Sequence, residues 1–223
     1  MGTGWKKWPG GIAHWFGSFL FPDACVRCGR TSGKFPLCAV CRHEAVALPA
    51  LAPELPVGLE SIHAGLELSE PVRALVHGLK YQGERRNAAA LAELAVGARG
   101  IPALPAGALL VPVPVHSTRK RERGYNQALL LAREWSKRLD VPVCDCLDRV
   151  RSTGTQTHLD AAARRANLES ALRVNKAFVR DRPLVLVDDI CTTGSTLGSC
   201  AAVLLRAGAV EVHGLACAWA PGK

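Results

Sequence analysis

Four consecutive apolar residues, Leu184, Val185, Leu186 and Val187, run directly into two acids, Asp188 and Asp189. A short apolar run of this kind reads as a buried strand. Ile190, Cys191, Thr192, Thr193, Gly194, Ser195 and Thr196 follow, then an apolar stretch to Ala207. That stretch reads as a helix, and Gly208 is placed to end it in a left-handed cap. Val210 to Trp219 supplies the next strand. Strand, helix and strand in this order imply a right-handed crossover in a parallel sheet, so the chain belongs to the α/β class.

In an open parallel sheet, ligands bind beyond the carboxyl ends of the strands, and Asp188 and Asp189 occupy such an end. Adjacent carboxylates repel each other and call for a cation or hydroxyl partners. The next residues are small and hydroxylated, and they open a helix. Free backbone N–H groups and the helix dipole make that turn an anion cradle. Thr192, Thr193, Ser195 and Thr196 add hydroxyl donors. One stretch thus offers acceptors for hydroxyls or a metal beside donors for phosphate, the combination a ribose 5-phosphate needs. No Gly-Lys-Ser/Thr follows, which excludes a P-loop, and G-x-G-x-x-G is absent. A solvated acidic turn before a capped helix is the plainer alternative.

Upstream, Ser61–Leu68 reads as a strand, and Pro71–Tyr81 and Glu84–Ala98 read as helices. Leu109–Val113 is a short buried strand, Asn126–Leu139 a helix with one apolar face, and Val141–Cys144 a further strand. His158–Leu172 is a helix with a basic face. Residues 1–55 read as a separate module and 56–223 as the main domain, because Pro49, Pro53 and Pro56 make a stiff linker between them.

The module holds Cys25, Cys28, Cys38 and Cys41 as two C-x-x-C pairs separated by nine residues. Two such turns let four thiolates meet around one Zn²⁺, with Gly29 and Gly33 closing the short gap. Two redox pairs are the alternative. Cys200 and Cys217 lie at apolar positions and read as core. The nine cysteines are an odd number, which points to a reducing, cytoplasmic setting. Gly11–Phe21, preceded by Lys6 and Lys7, is short of a membrane span and reads as an aromatic segment packed on the protein. A membrane-surface anchor is the other reading. Net charge is +9, from 28 Lys+Arg against 19 Asp+Glu, which suits anionic partners.

The run from Leu184 to Thr196 resembles the 5-phosphoribosyl-1-pyrophosphate (PRPP) motif of type I phosphoribosyltransferases. The run from Pro112 to Gln127 resembles the ComF/ComFC (GntX-like) family of competence-associated proteins. His77–Gly83, Arg151–Leu159, Arg165–Asn167 and the paired C-x-x-C module agree with that family. The resemblance implies a type I phosphoribosyltransferase-like parallel sheet flanked by helices, with a small N-terminal zinc-binding module. It implies that Asp188 and Asp189 contact ribose hydroxyls and that Cys191–Thr196 wraps the 5-phosphate. Val115, His116, Ser117 and Arg119 fall on the family's pyrophosphate loop, where Arg119 and Arg123 can donate to the diphosphate and Lys80 can reach the same anion. Residues 151–159 resemble the hood that closes over PRPP. The implied function is Mg²⁺-dependent phosphoribosyl transfer associated with competence, with single-stranded DNA and a DNA-uptake helicase as partners. A catalytically silent PRPP or nucleotide sensor that binds nucleic acid shares the same site. The acceptor is not identifiable from these residues.

Metal analysis of the purified protein is expected to find one zinc per chain, lost when Cys25 and Cys28 become Ser.

Overall fold

The structure, a computed structural model, describes residues 24–46, 55–151, 161–174 and 179–220. The aromatic N-terminal segment, Pro49, Pro53 and most of the 151–159 hood lie outside the described residues.

The elements in chain order are α1 (Ala39–Val46), β1 (Ser61–Glu67), α2 (Glu70–Tyr81), α3 (Asn87–Arg99), β2 (Leu109–Pro112), α4 (Ser117–Arg123) and α5 (Gln127–Leu139). They continue with β3 (Leu147–Arg149), α6 (Ala161–Ser170), β4 (Leu172–Val174), β5 (Pro183–Cys191), α7 (Ser195–Arg206) and β6 (Glu211–Trp219). Four strands form a parallel sheet in the order β1-β6-β5-β2. β3 and β4 form a separate antiparallel pair.

Alternation along β5 divides the core. Val185 and Val187 face a cluster that holds Leu75 and Leu79 of α2, Leu91 of α3 and Trp135 of α5. Leu184 and Leu186 face a second cluster with Leu197, Cys200 and Leu204 of α7. α2 forms because Val72, Leu75, Val76 and Leu79 recur at helical spacing, all buried, with Pro71 in its first turn. α5 is capped by Asn126, whose side chain accepts the Ala128 N–H at 3.0 Å. Cys25, Cys38, Cys41 and Ala45 belong to the same cluster as Leu75 and Leu91. The cysteine module therefore rests on α2 and α3.

Two departures from the sequence reading shape the site. β5 does not end at Val187; it pairs with β6 through Cys191, so both acids lie within a strand. β2, in contrast, leaves β5 after the Pro112–Val187 pair. Val141–Cys144 forms only one bridge, Val143 to Leu110, on the outer side of β2. Pro142 lacks an N–H, and its carbonyl accepts the Leu110 N–H at 2.9 Å. The chain thus leaves β2 toward that edge and leaves β5 toward β6. The connections diverge between β2 and β5, which makes their carboxyl ends the switch point where a crevice opens.

α3 approaches β1 at Gly65, where an added Cβ would stand 2.5 Å from Ala95 Cβ and 2.7 Å from its Cα. Backbone on that side cannot yield locally. Gly65→Ala is expected to destabilise the fold by roughly 1–3 kcal/mol or more, read as a lower melting temperature.

Candidate functional site

Beyond Val187 the sheet alternation sends the two acids to opposite faces. Asp189 points to the α2 and α5 side and is buried. Lys80, at the end of α2, places Nζ 2.5 Å from Asp189 Oδ2. Gln127, the first residue of α5, donates from Nε2 to Asp189 Oδ1 at 3.4 Å. Asp188 points to the α7 side and is less covered. Its Oδ1 accepts the Asp189 N–H at 2.8 Å. Burial, followed by the neighbouring charge of Asp189, holds the Asp188 carboxyl well above the ordinary carboxylate range, and Lys80 only partly opposes this. The Cys191 thiol, which burial and Asp188 push up to about 11, sits beside it as an inert core group. Cys200 and Cys217 are buried as the sequence reading expected.

The turn after β5 has the expected character. Gly194 adopts φ 70° at the N-cap of α7, and an added Cβ there would meet Pro56 Cγ at 2.4 Å. Both the left-handed backbone and the packing against the incoming linker require glycine. Thr192, Thr193 and Ser195 are exposed, and Thr196 is half-buried. Thr193 Oγ1 and Ser195 Oγ lie 2.7 Å apart, so the hydroxyls already converge. Trp219 Nε1 donates to the Thr192 carbonyl at 3.2 Å and braces the turn from β6. Cys191 contributes only backbone, its thiol being in the core.

Val115, His116 and Ser117 follow β2 on the other side of the crevice. The family resemblance places Val115, His116, Ser117 and Arg119 on a loop; the structure has a short helix, α4, from Ser117. His116 caps it by accepting the Thr118 N–H at 3.3 Å. α4 buries no residue, so no apolar periodicity announced it. Arg119 of α4 lines a cavity with Lys80, Tyr81 and Arg123, and Arg149 of β3 lines another with Val115 and Ser117. Burial and then the charge of Arg119 hold the Arg149 guanidinium below its ordinary value. Arg149 lies on the Asp188 side, near Cys200. The sequence reading missed Arg149 and Gln127; an arginine in a three-residue strand carries no periodic signal. A guanidinium on the same cavity wall as Val115 and Ser117 suits an anion there.

Lys80 and Arg123, both assigned to the diphosphate by sequence, line one cavity with Arg119. Lys80 is held by Asp189, and Arg123 donates to Gln127 Oε1 at 2.9 Å while covering the Tyr81 ring at 5.3 Å.

At the cysteine module, Gly29 and Gly33 have φ of 73° and 66°, which closes the short gap. The four sulfurs lie within 4.8 Å of one another, and Cys28 and Cys38 are 3.7 Å apart. Tetrahedral zinc–sulfur bonds of about 2.3 Å place sulfurs about 3.8 Å apart, so this donor set fits zinc. Burial raises the Cys25 thiol, but N–H groups of Cys38, Cys28 and Arg27 outweigh it and bring the thiol to about 6. Burial pushes Cys41 up to about 12, against an Arg27 N–H donor at 3.7 Å.

Comparison with known proteins adds to this geometry. A family model described as a phosphoribosyl transferase domain matches residues 126–223. The DNA utilization protein YhgH of Salmonella typhi is 34% identical over 93% of this chain and 92% of its own length. Competence protein F of Haemophilus influenzae is 38% identical over 65% of this chain and 66% of its own. Competence protein ComFC of Bacillus subtilis is 31% identical over 45% of this chain and 39% of its own.

The raised Asp188 carboxyl has a defined consequence for stability. Between the ordinary carboxylate value and the raised value, the folded chain binds a proton that the unfolded chain does not. That contribution is present at low pH and is lost as pH rises through the window. Asp188→Asn removes the penalty, so the zinc-loaded variant, free of Mg²⁺ and PRPP, is expected to melt roughly 2–6 °C higher than the parent at neutral pH, with a flatter pH dependence.

Proposed function

This chain belongs to the ComF family of phosphoribosyltransferase-domain proteins, and from that membership we propose that it binds PRPP with Mg²⁺ and transfers its phosphoribosyl group to a nitrogen acceptor. The observation that carries the proposal is the crevice where β2 ends and β5 continues, with an acid pair on one side and a hydroxyl-rich helix opening beyond it.

The roles follow from position. Asp188 and Asp189 accept the ribose hydroxyls, which offsets the burial and the Asp189 charge that raise Asp188. Backbone N–H groups from Cys191 to Thr196, with the hydroxyls of Thr192, Thr193, Ser195 and Thr196, hold the 5-phosphate at the start of α7. Val115, His116 and Ser117 hold the pyrophosphate from the β2 side, and Arg119 of α4 donates to it. In the reaction, the bond from C1 to the pyrophosphate oxygen breaks and its electron pair leaves on the pyrophosphate. The acceptor nitrogen's lone pair forms the new bond to C1. Bound Mg²⁺ would take up part of the leaving group's charge. Arg119 supplies fixed positive charge where negative charge grows, typically the largest catalytic effect. Lys80 acts at one remove, holding Asp189 in place.

Zinc in the Cys25, Cys28, Cys38 and Cys41 cluster is the structural partner of this domain. No helix among the described residues is long and apolar enough to cross a membrane. The names of the relatives concern competence and DNA utilization, and the net charge of +9 supports a role with single-stranded DNA; a cytoplasmic setting and a DNA-uptake helicase partner belong to the same proposal.

The test is pyrophosphate release from PRPP and Mg²⁺ across candidate acceptors, together with PRPP affinity. Asp188→Asn combined with Asp189→Asn is expected to weaken PRPP binding at least about tenfold while the fold persists. Unchanged affinity in the folded double variant would remove the site. Tight PRPP binding without release for any acceptor would favour a sensor over a transferase.

A further inference from the structure

Gln127 is buried, neutral and bonded to charged groups on both sides. We infer that Gln127 is a positioning residue that relays occupation of the diphosphate side of the crevice to Asp189 on the ribose side, so that the two halves of PRPP bind cooperatively. This rests on the PRPP reading above and adds how the two halves of that site communicate.

The relay sits in the connection between α4 and α5. Gly124 takes φ 77°, a left-handed turn that brings the chain round after Arg123. Tyr125, Asn126 and Gln127 follow, all buried, and each ties the connection to a different element. The Tyr125 hydroxyl donates to the Leu79 carbonyl of α2 at 2.5 Å. Asn126 Nδ2 donates to the Val113 carbonyl, just past β2, at 3.0 Å. Gln127 Nε2 donates to Asp189 Oδ1 of β5 at 3.4 Å. Tyr125 and Asn126 bond to neutral carbonyls and fix the backbone. Gln127 joins two charged side chains.

The orientation of its amide follows from its partners. Arg123 offers only donors, and its Nη1 stands 2.9 Å from Gln127 Oε1. The oxygen therefore faces Arg123, which turns the Nε2 donor to Asp189. Asp189 Oδ2 in turn meets Lys80 Nζ at 2.5 Å. A chain of polar contacts thus runs from Arg123 through Gln127 and Asp189 to Lys80. Both ends of that chain line one cavity of about 370 Å³, together with Arg119, the proposed diphosphate donor.

Charge sets the sign of the coupling. An anion in that cavity accepts from the Arg123 guanidinium and the Lys80 ammonium. Arg123 then donates less strongly to Gln127 Oε1. The amide donates less strongly to Asp189, because hydrogen bonds in a chain polarise one another. Lys80 shares its charge with the anion as well. Asp189 becomes a better acceptor for a ribose hydroxyl. Burial of Gln127 and Asp189 keeps the effect from being screened by solvent. In return, a ribose at Asp189 tightens the diphosphate, since coupling between two sites is mutual.

The test uses the full zinc-loaded chain with Mg²⁺ and two probes, ribose 5-phosphate and pyrophosphate. Ribose 5-phosphate is titrated by calorimetry with and without saturating pyrophosphate. In the parent, pyrophosphate is expected to tighten ribose 5-phosphate at least about fivefold. Gln127→Met keeps the size of the side chain and removes the relay, and the gain is expected to shrink at least about threefold. Arg123→Met cuts the chain at its half-exposed end and is expected to shrink the gain to a similar extent, which keeps the test open should Gln127→Met not fold. A residue that only braced the fold would change both affinities together and leave the gain as it was. If pyrophosphate brings no gain in the parent, or if the folded variants keep it, the relay is wrong and the PRPP reading stands. If PRPP itself does not bind the parent, that reading fails and the inference with it.

Discussion

The unequal lengths of two neighbouring strands determine what this protein can do. β2 leaves the sheet after Pro112, while β5 keeps its pairing with β6 for four more residues. Those extra residues include both acids. A strand paired on one side only exposes its other edge, and the two connections depart in opposite directions at that point. The fold thus creates a crevice and places an acid pair and a phosphate cradle along it. Holding two carboxylates there is unfavourable in the free chain, and Lys80 and Gln127 quiet only Asp189. Burial first, and then the charge of Asp189, leave the Asp188 carboxyl raised. Sites that store such a penalty are suited to ligands that remove it.

The cysteine module is part of the same physical unit as that crevice. Its buried sulfurs and Leu37 share a hydrophobic cluster with α2 and α3, and Arg42 reaches Glu93 of α3 at 2.6 Å. α2 in turn carries Lys80 in its last turn. Packing therefore runs from the four sulfurs, through the Leu75 and Leu79 face of α2, to the ammonium that holds Asp189. A module too small for a core of its own gains one by lying on the helices of its neighbour.

Much of this was legible in the sequence because it has a period. The alternation of β5, the helical spacing of α2 and α5, and the Gly-closed C-x-x-C pairs each state their structure locally. What escaped was aperiodic or decided by distant partners. α4 is exposed on all sides, and β3 and β4 are too short to alternate. The continuation of β5 through the acids is set by β6, since two aspartates have no strand preference of their own. The acid pair and the hydroxylated turn were readable as types, but the division of labour between Asp188 and Asp189 was not. It depends on which face each one meets, and so on where Lys80 and Gln127 arrive. Arg149 was invisible for the same reason.

Calorimetric titration of PRPP into the zinc-loaded chain, with and without Mg²⁺, bears most directly on the account. A single saturable site per chain that requires the cation is the result predicted. Absence of heat and of any competing displacement in both titrations, with the protein folded, would contradict it.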